Sequence, residues 1–468
     1  AIDKDGTKYW KFGGDFAPDH YHTDGNFCLN GIVNADRTPH PALEEVKHVY
    51  QNAHASWAEE NKKEIMLYNE NFFTSLAAYK LEFVLLKNGV EIESYTQNLQ
   101  TLPQETAYIP LAFKSELENS SDYHVNIYGK LRKADALLVE GHLAFSEQLL
   151  LQEGEIQTSD AVQNGKIEVV ENQKEIHFSI SKLSLGFNKS SGYLTTLDVS
   201  GSEMLLKSPK PHYWRAPIDN DYGNKMPTRL KSWKEASENQ TLVSFSHKKT
   251  KQGHLVESVF ELAAVNSKAL MSYLIQPNGS VRVTHSFDYG GAQNKTEMPR
   301  VGLNMQLSSS LEHVEWYGLG PHENYIDRKA SAFMGSYSAK VKDMKFDYGR
   351  PQENGYRTQT KQLLVTDQNG VGLQFRGLPE FSFAVHNNTT DDYDDGGWKN
   401  SKRKDAFGNS KNSHLNDIKP RDLLSLNIDY RQMGVGGDNS WGAKPHDQYL
   451  IWPKDYTYSF IIQPIIKD

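Results

Sequence analysis

The chain has 468 residues, enough for about three domains with sizeable cores. Its formal net charge of −8, with no basic runs interleaved with aromatics, argues against nucleic acid as a partner. A single cysteine, Cys28, excludes an intramolecular disulfide framework without fixing the compartment, and no apolar run reaches the roughly 20 residues of a membrane-spanning helix.

Residues 1–55 read as a short αβ piece. Tyr9-Trp10-Lys11-Phe12 is an apolar segment ended by Gly13-Gly14, and Pro41 suits a first helical turn. Leu43, Val46 and Tyr50 then fall at i, i+3 and i+7, which predicts a helix whose apolar face must pack on something. The opening Ala1-Ile2-Asp3-Lys4-Asp5-Gly6 looks like an internal turn, so the expectation is a chain that has lost its true start.

From residue 56 to 155 the period changes to two, at Ile65 and Leu67, at Tyr79, Leu81, Phe83 and Leu85, and at Tyr123, Val125 and Ile127. Asn88-Gly89 is a two-residue hairpin signal. About a hundred residues of short strands fit an immunoglobulin-like sandwich.

From 156 to 468 the strand pattern resumes without a convincing helix run. Ile167 and Val169, then Ile176, Phe178 and Ile180, alternate; Met271, Tyr273 and Ile275 turn at Pro277-Asn278-Gly279 into Val281 and Val283. Asp391-Asp392-Tyr393-Asp394-Asp395 through Lys411, with Gly396-Gly397 inside it, reads as a solvated loop, since it lacks the spaced ligands of a calcium loop. Asp219-Asn220-Asp221 offers two acids and an amide that more readily bond their own backbone than a cation.

Near the end, Met433-Gly434-Val435-Gly436-Gly437-Asp438-Asn439-Ser440-Trp441-Gly442 hangs a large aromatic on a glycine-rich loop. The strand before it alternates at Leu424, Leu426, Ile428 and Tyr430, and the one after it at Tyr456, Tyr458, Phe460 and Ile462. Gly434, Gly436 and Gly437 permit positive φ, while Asp438, Asn439 and Ser440 can tie the turn. Trp441 either presents a free indole face, on which the C–H face of a sugar stacks, or is pinned inward to fix its loop; the residues alone leave both readings open.

That stretch resembles the C-terminal signature of the large bacterial β-galactosidases of glycoside hydrolase family 2. Trp214-Arg215-Ala216-Pro217-Ile218-Asp219-Asn220-Asp221-Tyr222-Gly223, Trp316 through Arg328, and Pro351-Gln352-Glu353-Asn354-Gly355 are similar to further landmarks of the same domain. Gly13-Gly14-Asp15-Phe16, Asn26-Phe27-Cys28-Leu29-Asn30-Gly31 and Ala35-Asp36-Arg37-Thr38-Pro39-His40-Pro41 resemble the exit from that family's catalytic barrel. The resemblance implies a mainly β chain. Residues 1–55 would be the αβ remnant of a (β/α)8 barrel, 56–155 an immunoglobulin-like sandwich, and 156–468 a large antiparallel β-supersandwich.

It also implies the C-terminal portion of a retaining hydrolase of terminal β-galactosides such as lactose. Such an enzyme needs two carboxyl groups about 5 Å apart, and the resemblance puts both upstream of residue 1. Asp15, Asp24, Asp36 and Glu44 match neither catalytic motif and are expected to pair or tie turns. Trp441 would form the aglycone platform. Phe27, through its carbonyl, and Asn30, through its amide, would lie on the galactose side and ligate a sodium ion; magnesium would use ligands absent from this chain. Gly223 and Asn224 would belong to a mobile loop near the site, with Gly223 as hinge. Arg215, and Arg328 beside Asp327, are expected to be ion-pair partners. Expected partners are a galactoside and the rest of the enzyme; a homo-oligomer, and bacterial cytoplasm or periplasm, stay open. Two rivals remain: a non-catalytic carbohydrate-binding module, and a small subunit that completes a split enzyme.

Overall fold

Seven strands between residues 53 and 152 build the smaller of two sandwiches. They are β1 (Ala53–Trp57), β2 (Glu64–Asn69), β3 (Tyr79–Lys87), β4 (Val90–Gln97), β5 (Thr106–Pro110), β6 (Tyr123–Leu131) and β7 (Leu143–Gln152). A three-stranded sheet, β1-β2-β5, faces a four-stranded one, β4-β3-β6-β7. Ile65, Leu67, Leu81, Phe83, Leu85, Val125 and Ile127 meet between them with essentially no exposure, as their period of two requires. Asn88 and Gly89 turn the β3–β4 hairpin with φ of 49° and 79°, both positive as a type I′ turn demands. The computed structural model describes residues 1–13, 15–16, 27–154, 165–290, 296–394, 414–439 and 441–466. Asp24, Ser440 and the insertion from Asp395 through Lys411 lie outside the described residues.

The larger sandwich sets a five-stranded sheet, residues 168–203, beside a twelve-stranded sheet whose strands run in antiparallel ladders. The two share a separate core that takes in Phe178, Phe187, Met271, Tyr273, Leu426 and Phe460. Its central strands, Leu424–Gln432 and Tyr456–Ile465, flank Gly372–His386 on either side. Tyr430 departs from the expected alternation: it is 44% exposed while Leu424, Leu426 and Ile428 are buried.

Three expectations are corrected. The helix α1 (Ala42–Val49) forms, but none of its residues is buried, and Tyr50 lies just past its end, 79% exposed. It docks instead through polar groups: Glu45 accepts from the Ala330 N–H at 3.0 Å and the Ser331 N–H at 2.9 Å. Second, the large domain is not free of helix, since α2 (Asp219–Gly223), α3 (Met226–Arg229) and α4 (Lys231–Glu238) follow one another. Leu230, Trp233 and Ala236, three apart, bury one face of this short run against Tyr213 and Phe287. Third, the start of the acidic insertion is only partly solvated, with the Asp391 side chain 72% exposed. Thr390–Tyr393 is helical, and Asp394, 7% exposed, receives Lys234 at 2.8 Å.

The described residues ahead of β1 touch the large sandwich at several points. Asp15 Oδ2 is 2.8 Å from His414 Nε2, the Phe12 ring stacks on His414 at 4.4 Å, and His40 stands edge-on to Phe346 and Tyr348. Lys8 pairs with Asp36 at 2.6 Å. Asp15 and Asp36 are therefore engaged in pairing, as expected, while Glu44 is exposed on α1.

Candidate active-site edge

The loop after Leu424–Gln432 is held from three directions. Asp327 takes two of its N–H groups: Val435 donates to Oδ1 at 3.1 Å and Gly436 to Oδ2 at 2.7 Å. Asn220 on α2 donates to the Asn439 carbonyl at 2.9 Å. Within the loop, Asn439 Oδ1 accepts from Trp441 N at 2.9 Å and Ala443 N at 3.2 Å, and Asp438 meets His446 at 2.8 Å. Asn439 thus ties the turn through its side chain to backbone as expected, whereas Asp438 pairs with the His446 side chain instead.

The glycines serve a different purpose from the one the sequence suggested. Gly434, Gly436 and Gly437 do not take positive φ; they are small because neighbours approach closely. A Cβ on Gly434 would stand 2.5 Å from Asp327 Oδ2, and one on Gly437 would stand 2.5 Å from the Ala443 carbonyl oxygen. Among the described residues of this loop, Gly442 alone has left-handed φ, +108°. It lies backbone to backbone on Gly223, where a Cβ would stand 2.7 Å from Gly442 Cα and from the Trp441 carbonyl oxygen.

Trp441 points outward, 71% exposed. Among the described residues its ring partner is Phe27, with centroids 4.8 Å apart and planes at 31°. The structure thus brings Trp441, Phe27 and Gly223 together from the C-terminal loop, the αβ remnant and α2. Asn224, one residue on, receives Arg229 Nη2 at its side-chain oxygen at 3.0 Å. Asn30 is exposed, and no described contact joins it to Trp441.

Charge beneath the loop is paired and buried. Arg215 is fully buried, with Asp221 Oδ2 at 2.9 Å and the Gly434 carbonyl at 3.3 Å, and Ile218 N–H donates to Asp221. Arg350 lies over the Tyr222 ring at 4.8 Å. Arg300 reaches Asp429 at 3.2 Å and Gln432 at 2.5 Å; burial pushes the Asp429 carboxyl up to about 7 despite this guanidinium. Arg328 is an ion-pair partner, but of Glu323 at 2.6 Å rather than of the adjacent Asp327. Sequence reasoning missed the role of Asp327, and the signal for it was Gly434 and Gly436, which leave room for the carboxylate: a Cβ there would stand 2.5 and 3.0 Å from Asp327 Oδ2.

Among the described residues, no three His, Cys, Asp or Glu side chains gather in a way that could hold a metal ion. Were a cation held at Phe27 and Asn30, the backbone carbonyl and the side-chain amide would offer it two neutral oxygens.

Comparison with known proteins agrees with this architecture. The family described as beta galactosidase small chain matches residues 179–462, beta-galactosidase domain 4 matches 65–152, and the family 2 glycosyl hydrolase TIM barrel domain matches 2–55. A β-galactosidase of Halalkalibacterium halodurans is 31% identical over 453 residues, 96% of this chain and 42% of that protein. The β-galactosidases of Priestia megaterium and Vibrio cholerae are each 30% identical, over 99% and 98% of this chain and 43% of each relative. The chain spans about two fifths of the length of the curated relatives it matches. It belongs to the family 2 glycosyl hydrolases and is built as the C-terminal part of a β-galactosidase of that family.

Proposed function

We propose that this chain supplies one edge of the active site of a retaining β-galactosidase, with the two carboxyl groups of the reaction in a barrel portion that precedes it. The observation that carries this reading is the outward Trp441 standing on Phe27, because it joins the glycine loop to the barrel remnant at a wall open to solvent. An exposed indole on a loop held by Asp327 and Asn220 offers a fixed apolar face, and the C–H side of a sugar aglycone stacks on such a face. Terminal β-galactosides are the substrate class. Asp15 and Asp36 of the remnant are engaged with His414 and Lys8, which supports a catalytic pair outside the chain.

Phe27 and Asn30 line the galactose side and give sodium two neutral oxygens; the ion's charged ligand, and those of magnesium, come from the barrel portion. Gly223 and Asn224 form the segment that shifts as ligand binds, which the tight Gly223–Gly442 contact would transmit to Trp441.

The test has two arms. This chain alone releases no nitrophenol from a nitrophenyl β-galactoside, whereas the polypeptide extended upstream by its barrel portion does. In that longer protein, Trp441→Ala weakens aglycone binding by about 1–3 kcal/mol, the scale of losing a large contact residue. Sustained turnover by this chain through a second purification would refute the assignment of the carboxyl pair, and unchanged aglycone affinity would refute the platform.

A further inference from the structure

We propose that Val49, Tyr50, Phe72 and Phe73 form the seat on which the rest of the (β/α)8 barrel rests, so that the barrel grips the immunoglobulin-like domain as well as its own last helix. The inference depends on the reading that a barrel portion completes this chain.

Four large apolar side chains are exposed side by side here: Val49 at 62%, Tyr50 at 79%, Phe72 at 72% and Phe73 at 98%. They rim a cleft of about 470 Å³ between the end of α1 and the turn after β2. A contiguous apolar patch of this kind marks a contact surface more often than a bare one.

The loop carrying the two phenylalanines is held rigidly in this outward pose. Asn69, fully buried, donates through Nδ2 to the carbonyls of Thr74 at 3.0 Å and Leu102 at 3.0 Å, and its Oδ1 accepts from Asn71 N–H at 3.2 Å. Gln104 donates to the carbonyls of Glu70 at 2.8 Å and Asn71 at 3.2 Å. Glu70 N–H donates to Asn52 just beyond the helix, which locks the loop to the α1 end. A loop so tied cannot fold Phe73 back onto its own sandwich.

Three observations select the occupant. Residues 2–55, which contain α1, match a TIM barrel domain, and such a barrel takes about 250 residues. A barrel helix packs on its strand and on neighbouring helices, yet no residue of α1 is buried. The described contacts of α1 come from Glu45, which bonds the Ala330–Ser331 backbone, and from His48, beside Glu147 and edge-on to Phe333, leaving Val49 and Tyr50 at its end exposed. Whatever covers that end also reaches Phe72 and Phe73, because they rim the same cleft.

The experiment places a thiol at the most exposed position. With Cys28→Ser and Phe73→Cys, the maleimide labelling rate is measured on this chain and on the polypeptide extended by its barrel portion. Labelling should be fast in the first and about tenfold slower or more in the second. Equal rates would overturn the proposal. Protection that rises with the concentration of this chain alone would overturn it too, in favour of a second copy as occupant. Independently, Phe72→Ser with Phe73→Ser should lower the melting temperature of the extended polypeptide and leave that of this chain unchanged; an equal effect on both would also overturn it. Neither readout uses hydrolysis, so an extended polypeptide that is protected but inactive would refute the activity reading and leave this one standing.

Discussion

At Asp327 one carboxylate takes two N–H groups of a loop that presents a solvent-facing indole. Asp327→Ala should therefore cost about 1–3 kcal/mol in thermal unfolding, the price of leaving such donors unmade, while Asp327→Asn, which keeps one acceptor, should recover part of it. The local readout is acrylamide quenching: the Trp441 contribution, isolated by difference against Trp441→Phe, should change in the alanine variant and return toward normal in the asparagine variant. A uniform change in all tryptophan signals would refute a local role. At this scale the sequence showed that Trp441 sits on a tied, glycine-rich loop. It did not show which way the indole faces, because that depends on Phe27, more than four hundred residues away.

Among elements, the β3–β4 hairpin has two duties. Its turn needs positive φ at Gly89, and the same turn docks on the large sandwich: Gly89 carbonyl accepts from Ser336 N–H at 3.1 Å, and a Cβ would stand 2.5 Å from that nitrogen. Gly89→Ala should destabilise by about 2–4 kcal/mol, combining backbone strain with a clash against unyielding backbone. Gly201, with φ of +86° and open space around it, is the control, and Gly201→Ala should cost only about 1 kcal/mol. Equal costs in chemical denaturation would show that the docking contact contributes nothing. The hairpin itself was legible from Asn88-Gly89. Helices α2 to α4 were not, because Pro227 interrupts a run too short for its apolar spacing to stand out, and burial against Tyr213 and Phe287 makes it helical.

For the molecule as a whole, the seams between its parts are polar. At the seam between the remnant and β7, Gln51 donates to Glu147 at 2.6 Å, with His48 and His54 about 4 Å from the same carboxylate. Burial pushes the Glu147 carboxyl up to about 7, against the lowering influence of His54 and Gln51. A carboxyl raised in the folded state stabilises fully below its ordinary value near 4.5, and that contribution is lost as pH climbs through about 7. Glu147→Gln should accordingly gain about 1 kcal/mol over the parent at pH 8, a figure reduced for residual solvent screening, and nothing at pH 4. A stability difference that is flat with pH would refute the assignment. Across the other seam, Gln148 exchanges hydrogen bonds with Met334 N–H at 2.6 Å and Met334 carbonyl at 2.9 Å, while Asp122 joins Lys361 and Tyr317. The sequence alone determined the strands that build the two cores, since a period of two assigns each apolar side chain to one sheet face wherever the strand lies. Tertiary structure alone decided the rest: that Asp327 serves the loop while Arg328 serves Glu323, that glycines 434 and 437 mark close approach rather than turning, and that α1 docks by Glu45 instead of an apolar stripe. Those outcomes depend on which distant side chain arrives first within hydrogen-bond reach, and no local pattern of residues encodes that distance.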